Sequence, residues 1–357
     1  MYKLAIGALM SLLLVSTATY AEDTDGAATA PKKAHVKKGK LAKHHALRVA
    51  AAEPREHLVK RVVMVHGRRK VVYQRLTAAA PAVPTMGDLA GLNLTHDPLD
   101  LKSNVALVLD QANSEVLFEK NSNVALPIAS ITKMMTGLVV VEAKQDMDEV
   151  LTVTDEDVDR EKFSSSRLRV GAQLTRVNML HIALMSSENR AASALGRYYP
   201  GGKPAFVEAM NAKARELGMA DTHYVDSSGL SKMNVASARD LARLAVAAYQ
   251  HPMLRQFSTD PKATVEANGH PMLFGNTNHL VASPDWTIGL QKTGFINEAG
   301  RCLMMQAVIE GRSVIMVFLD SKGKMSRTAD AGRMRKWLEA LKPSSLSTAV
   351  PAYSTGM

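Results

Sequence analysis

LPIASITKMMT, residues 126–136, places a serine and a lysine three residues apart at the start of a predicted helix. Over 128–144 the apolar residues recur with helical spacing, and Pro127 suits the first turn of a helix or its approach. Ser130 is therefore expected near a helix N-terminus, where free backbone N–H groups favour a developing anion. Positions three apart share a helix face, which predicts that Lys133 lies beside the Ser130 hydroxyl.

A serine is a weak nucleophile and needs a base and a site for the oxyanion. Lys133 can act as that base only when it is neutral, and burial together with a second cation such as Lys292 lowers the pKa of a lysine. A polar break between two predicted helices holds Ser187-Glu188-Asn189. We expect Ser187 to relay a proton between Lys133 and the leaving group, and Asn189 to hydrogen-bond the substrate backbone.

A third motif, Lys292-Thr293-Gly294, ends a strand-like run. A strand at the edge of a cleft can pair with an extended peptide. Gly294 permits a close approach of the substrate, while Lys292 and Thr293 can hold a carboxylate or a carbonyl.

Each motif is weak when it stands alone. The pattern S-x-x-K occurs again at Ser321-Lys322-Gly323-Lys324, where we expect a solvated turn. The other two motifs occur once each. The three together, in order, at a helix start, between helices and on a strand, make a strong signal for one catalytic site.

The order of predicted elements gives the fold class. Strands come first, a block of helices follows, and strands with a closing helix over 325–341 end the domain. This order predicts an α/β (α+β) fold with one antiparallel sheet flanked by helices and a helical subdomain inserted between its strands. The cleft between the helical and sheet regions is the natural site. Strands are predicted at 104–110, 114–119, 286–291, 302–309 and 313–319, and helices at 174–185, 191–198 and 204–217.

The ends of the chain differ in composition from its centre. Residues 1–21 have the layout of a secretory signal peptide with cleavage after Ala21, so we expect a periplasmic protein without a transmembrane anchor. Residues 22–90 read as a basic, disordered linker, in which 58–72 forms a strand or helix when bound. The serine-enzyme domain is predicted at 91–342 and a disordered tail at 343–357.

The charge of the chain is concentrated in that linker. The net charge is +10, and residues 31–75 alone carry 14 Lys and Arg against Glu53 and Glu56. An exported polycation is drawn to anionic cell-envelope surfaces, such as cell-wall polymers or lipid head groups. The export signal argues against nucleic acid as the partner.

The chain resembles the low-molecular-weight penicillin-binding proteins, and among them the D-alanyl-D-alanine endopeptidases. The resemblance covers roughly Leu101 to Leu341 and implies a β-lactamase/transpeptidase-like fold. It rests on the three motifs with their flanking residues and on Asp226-Ser-Ser-Gly-Leu230, which together with Asn234 we interpret as structural turn residues. Glu188 departs from the Asp or Gly that is more usual at the centre of the second motif.

The resemblance implies a serine D,D-peptidase that acts on peptidoglycan cross-links and is inhibited by β-lactam antibiotics. Ser130 would be acylated, Lys133 would be the base, and Ser187 and Asn189 would assist them. The oxyanion hole would use the backbone N–H groups of Ser130 and Phe295. The substrate would bind Lys292, Thr293 and Gly294. No metal and no organic cofactor are implied.

Three other functions remain open from the sequence. A D-alanyl-D-alanine carboxypeptidase would use the same residues. A β-lactamase would need a deacylating base, and no E-x-x-L-N run lies between the motifs. A non-catalytic cell-wall binding protein would not need the catalytic residues, all of which are present.

Overall fold

The computed structural model describes residues 57–65, 68–76 and 83–341, which belong to two separate compact units. The first unit contains an antiparallel hairpin of strands β1 (His57–Val65) and β2 (Arg68–Leu76). Within the segment predicted to be a disordered linker, residues 58–72 were expected to form a strand or helix when bound, and the two strands of this hairpin include most of them. Valines recur in both strands, and β-branched residues favour extended backbone. The predicted signal peptide and the tail at 343–357 lie outside the described residues.

The second unit is built on a five-stranded antiparallel sheet. The sheet strands are β3 (Ser103–Asp110), β4 (Val116–Lys120), β11 (Thr287–Ile296), β12 (Gly300–Ile309) and β13 (Arg312–Ser321). Their order across the sheet is β11-β12-β13-β3-β4, so both ends of the domain supply strands, as predicted. The first predicted strand pair and the last three predicted strands are all present in the sheet.

Helices cover both faces of this sheet. Along β3, Val105 and Leu107 belong to the apolar cluster on the helical-region side, whereas Ala106 and Val108 belong to the cluster under the closing helix. This alternation follows from the two-residue period of a strand. Because both faces are buried, the strand reads as a continuous apolar run in the sequence. The closing helix is α8 (Ser326–Ala340).

The helical region lies between β4 and β11 in the chain. The structure confirms the predicted helices here within a few residues of their ends, although the first is shorter than predicted. Ser237 caps the helix that begins at Ala238, since its Oγ accepts a hydrogen bond from the Asp240 backbone N–H. The helices are α2 (Thr132–Glu142), α3 (Arg176–Met185), α4 (Asn189–Arg197), α5 (Gly202–Glu216), α6 (Ala238–Tyr249) and α7 (Pro252–Thr259).

Three small two-stranded sheets brace the loops of this region. The pairs are β5 (Leu126–Pro127) with β8 (Val235–Ala236), β6 (Val150–Thr152) with β7 (Gln173–Thr175), and β9 (Lys262–Ala267) with β10 (His270–Gly275).

Packing of the second unit begins before the predicted domain start at Gly91. Thr85 forms a capping box with Asp88 at helix α1 (Met86–Leu89), and its Oγ1 donates to Asp320 Oδ2 at 2.8 Å. A Cβ on Gly87 would lie 2.0 Å from the same carboxylate oxygen. The predicted boundary is therefore a few residues late, because a short capped helix with one buried glycine carries no periodic signal. Within the described ranges, no helix combines the length and the apolar character needed to span a bilayer.

Candidate active site

Ser130 lies in a 3₁₀ turn, residues 129–131, that leads directly into α2. Lys133 is in the first turn of α2, and its Nζ lies 2.9 Å from Ser130 Oγ. The predicted side-by-side arrangement of these two residues is therefore present. Pro127 belongs to β5, so it sets the approach to the helix and is not part of its first turn.

The Lys133 ammonium group is fully buried and has two further partners. Its Nζ donates to Asn189 Oδ1 at 2.7 Å and to the Ser228 backbone carbonyl at 2.5 Å. Burial lowers the pKa of Lys133 to about 7, against the opposing attraction of Asp226 and Glu188. Two N–H groups of Lys133 thus bond to protein acceptors. When Lys133 is neutral, its lone pair can therefore point at the Ser130 hydroxyl.

The loop over 226–230 supplies the Ser228 carbonyl. Asp226 Oδ1 accepts hydrogen bonds from the backbone N–H groups of Ser228 and Gly229, both at 2.6 Å, which fixes a tight turn. Gly229 has a φ of +80°, and a Cβ there would lie 2.0 Å from the Ala129 carbonyl oxygen. The turn predicted for these residues is present, but it also carries an acceptor for Lys133. This contact was not predictable from the sequence, because a residue of any type can supply a backbone carbonyl.

Lys292 provides a second buried ammonium group. Its Nζ donates to Ser187 Oγ at 3.0 Å and to the Thr293 carbonyl at 2.9 Å. Burial, and then repulsion from Lys133 and Arg327, lower the pKa of Lys292 well below its usual range. Ser187 was predicted to relay a proton between Lys133 and the leaving group. In the structure its hydroxyl bonds to Lys292 instead. A lysine of the third motif reaches Ser187 because β11 borders the cleft opposite the break between α3 and α4.

Asn189 is the first residue of α4 and connects the site to a neighbouring loop. Its Oδ1 accepts from Lys133, while its Nδ2 donates to Ser164 Oγ at 2.9 Å. The side chain was expected to bind the substrate backbone, but in this structure it holds Lys133 in position. Ser164 is a contact that the sequence analysis did not identify, because the loop around it has no periodic pattern.

The Lys-Thr-Gly motif lies inside β11, which continues to Ile296, and not at the end of the strand as expected. A Cβ on Gly294 would lie 2.7 Å from the Ile128 carbonyl oxygen and 3.2 Å from Ser130 N. Only glycine allows β11 to come so close to the turn that carries Ser130. The backbone N–H groups of Ser130 and Phe295 were predicted to form the oxyanion hole, and this approach brings the two backbone segments together.

Two further residues support β11 at the motif. Thr277 Oγ1 lies 2.6 Å from Thr293 Oγ1, and Arg327 Nη1 donates to the Gly294 carbonyl at 2.8 Å. Neither residue was identified from the sequence, since both are distant in the chain from the motifs. Arg327 is in α8, so the closing helix also helps to position the strand that lines the site.

The second S-x-x-K copy lies elsewhere. Ser321 ends β13 and is buried, with its Oγ 3.4 Å from Asp330 Oδ2. The expected solvated turn is therefore wrong for this serine, which joins the sheet to α8. Over the described residues, there is also no group of three or more His, Cys, Asp or Glu side chains placed to hold a metal ion.

Comparisons with known proteins find related peptidases. Residues 93–323 match the model of peptidase family S11, described as D-alanyl-D-alanine carboxypeptidase. The chain is 50% identical over 267 residues to a D-alanyl-D-alanine endopeptidase of Pseudomonas aeruginosa, covering 74% of this chain and 85% of that protein. It is 41% identical over 280 residues to a D-alanyl-D-alanine endopeptidase of Escherichia coli, covering 78% and 90%.

Solved structures show the same fold. A variant of a Streptomyces DD-transpeptidase superposes with a TM-score of 0.62 at 26% identity, covering 66% of this chain and 97% of that one. A D-alanyl-D-alanine carboxypeptidase from Mycobacterium tuberculosis gives a TM-score of 0.63 at 26% identity, covering 69% and 94%. The predicted transpeptidase-like fold is thereby confirmed.

Proposed function

This chain belongs to peptidase family S11 and is a serine hydrolase, and on that premise we propose that it is a D,D-endopeptidase that opens peptidoglycan cross-links through an acyl-enzyme at Ser130. One observation carries the proposal. Ser130 Oγ lies 2.9 Å from Lys133 Nζ, and burial lowers the pKa of that lysine to about 7. A lysine in this state can accept the serine proton near neutral pH.

The acylation step follows from these contacts. Neutral Lys133 takes the Ser130 proton while Oγ attacks the carbonyl carbon of D-alanine, and the carbonyl electrons move to its oxygen. The backbone N–H groups of Ser130 and Phe295 stabilise that oxyanion. When the C–N bond breaks, the proton held by Lys133 passes to the departing amine. Water then hydrolyses the ester, which returns a proton to Ser130 and releases the D-alanyl carboxylate.

Substrate binding uses the position of β11 in the sheet. This strand is the first in the strand order and has an edge that no other strand of the sheet pairs with. An extended peptide can add to such an edge through backbone hydrogen bonds. Lys292 and Thr293 then lie at the reacting end of the peptide, where they hold a carboxylate or carbonyl.

The choice of endopeptidase over carboxypeptidase is supported by the relatives. The two relatives with 50% and 41% identity are endopeptidases, whereas a carboxypeptidase of Bacillus subtilis is 29% identical. The two reactions differ only in the leaving group, which is a diaminopimelate amine of a second peptide in the first case and free D-alanine in the second.

Digestion of purified muropeptides tests this choice. We expect the protein to convert cross-linked dimers to monomers, and Ser130→Ala to leave dimers intact. Release of D-alanine from pentapeptide monomers, with the dimers unchanged, would make the protein a carboxypeptidase. Retention of dimers and pentapeptides alike by the folded protein would support a binding module without peptidase activity.

We also propose that the protein works in the periplasm, with its basic segment 31–75 near the anionic envelope. The signal-peptide pattern of residues 1–21 and the charge of 31–75 support this location. Cell fractionation with N-terminal sequencing is the test. A mature protein in the periplasmic fraction that begins at Glu22 agrees with it, and an unprocessed protein in the cytoplasm contradicts it.

A further inference from the structure

Glu188 is a buried carboxylate at the centre of the second motif, and the acylation mechanism above does not use it. The side chain is largely buried, with a relative exposure of 8% for the residue. Its carboxylate accepts a hydrogen bond from Ser166 Oγ. The residue that follows it, Asn189, is a partner of Lys133. Glu188 is therefore bonded to the loop over 159–168 and is the chain neighbour of a residue that holds Lys133.

We propose that Glu188 is a positioning residue with two effects: it ties the 159–168 loop to the start of α4 through Ser166, and its negative charge stabilises Lys133 while that lysine holds the Ser130 proton. The inference rests on the proposed function, since it assigns Glu188 a part in the acylation of Ser130. A neutral residue at this position could still bond to Ser166, but it would supply no negative charge to Lys133.

The loop contacts show how the first effect operates. Ser166 bonds to Glu188, and Ser164 bonds to Asn189, so two serines of one loop hold two consecutive residues of the motif. Asp159 folds the loop from within by accepting the Ser164 backbone N–H at 2.8 Å. Because the Asn189 amide also bonds to Lys133, a shift of this loop is transmitted to the lysine.

The charges around Lys133 show how the second effect operates. Asp226 faces it from the 226–230 loop and Glu188 from the start of α4, and both raise the pKa of Lys133 against the effect of burial. Lys292 approaches from β11, and burial, followed by repulsion from Lys133, lowers the pKa of Lys292. Removing one of the two negative charges favours neutral Lys133, so the pKa of this lysine falls when Glu188 is neutralised.

The test is the pH dependence of acylation by a fluorescent penicillin, measured with the full chain as a second-order rate constant. In the plot of this rate constant against pH, the acid limb is the rise in rate that accompanies loss of a proton from Lys133. For Glu188→Gln we expect this limb to move to lower pH by about half a unit to one unit. Glu188→Asp keeps the charge and is expected to restore the wild-type limb. Ser166→Ala keeps the carboxylate, so it lowers the rate without moving the limb.

Two outcomes would overturn the inference. One is an acid limb of Glu188→Gln that coincides with that of the wild type, and the other is an equal shift in Ser166→Ala, which would assign the effect to loop movement alone. Should Glu188→Gln not fold, as checked by thermal unfolding, Glu188→Ala is the second neutral variant and the same shift is expected. A wild type that forms no adduct at any pH would instead overturn the proposed function.

Discussion

Lys292 Nζ lies 3.0 Å from Ser187 Oγ, so the hydroxyl of the second motif is paired with the lysine of the third. Lys133, the lysine of the first motif, is held by Asn189 and the Ser228 carbonyl. The site therefore has two buried lysines with separate sets of partners. This separation predicts that the two lysines respond to different substitutions.

Ser187→Ala is expected to slow acylation without moving its acid limb, because Ser187 contacts Lys292 and not Lys133. The hydroxyl accepts a hydrogen bond from the Lys292 ammonium, so its loss lowers the pKa of that lysine further and weakens the positive charge that Lys292 offers to the substrate. The acid limb, set by Lys133 with a pKa of about 7, is expected to stay in place. The measurement is acylation rate against pH. A shift of the acid limb instead would show that Ser187 acts on Lys133.

Gly294→Ala is expected to slow acylation by about 100-fold, because a displacement of order 1 Å near the nucleophile has that effect. The added Cβ would lie 2.7 Å from the Ile128 carbonyl and 3.2 Å from Ser130 N, so β11 or the nucleophile turn must move. The matched control is Gly332→Ala in α8, where the Cβ would meet nothing within 4 Å. The control is expected to keep wild-type acylation, and equal rates for both variants would contradict the close approach.

The salt bridge between Lys162 and Glu298, at 2.6 Å, joins the 159–168 loop to the turn between β11 and β12. Both side chains are about a quarter exposed, so we expect a coupling of less than about 1 kcal/mol in a double-mutant cycle on unfolding. Hydrogen exchange at the loop amides is expected to speed up in Glu298→Gln.

A second ion pair provides the control for that cycle. Lys102 and Asp100 are also in contact, at 2.8 Å, but their side chains are 51% and 87% exposed. Their coupling is expected to be close to zero because solvent screens them. If the coupling between Lys162 and Glu298 is also close to zero, and hydrogen exchange in the 159–168 loop is unchanged in Glu298→Gln, this salt bridge does not hold the loop.

Asp330→Ala is expected to destabilise the domain by about 3 kcal/mol, as is usual when buried donors lose a charged acceptor. Asp330 is fully buried in α8 and accepts from the Lys102 and Ser103 backbone N–H groups and from Ser103 Oγ. The measurement is denaturant-induced unfolding. The control is Glu339→Ala on the same helix, where the carboxylate pairs with Arg335 near the surface and a change below about 1 kcal/mol is expected. Similar losses in both variants would contradict this role of Asp330.

Much of the fold could be predicted because its signals are local. The strands β3, β12 and β13 are apolar runs bounded by turns, and the helices carry their spacing in the sequence. The juxtaposition of Ser130 and Lys133 was also predictable, since it depends only on three-residue spacing along a helix. The hairpin at 57–76 was partly missed because its high charge outweighed the signal of its valines.

The partners of the catalytic groups could not be predicted in the same way. Ser187 was predicted to interact with Lys133, but its hydroxyl bonds to Lys292. Which lysine reaches Ser187 depends on where β11 passes relative to the break between α3 and α4, and this is a feature of the tertiary structure. The Ser228 carbonyl and the Ser164 hydroxyl reach the site from loops, and no periodic pattern reports where a loop passes. Motif order therefore identified the members of the site but not the hydrogen bonds among them.

Intact-mass measurement after incubation with a penicillin, with wild type beside Ser130→Ala, shows whether Ser130 is the residue that becomes acylated. We expect one stable adduct with the mass of the antibiotic on wild type and none on Ser130→Ala. An adduct on both proteins, or none on wild type while the antibiotic stays intact, would contradict the assignment of Ser130 as the acylated nucleophile.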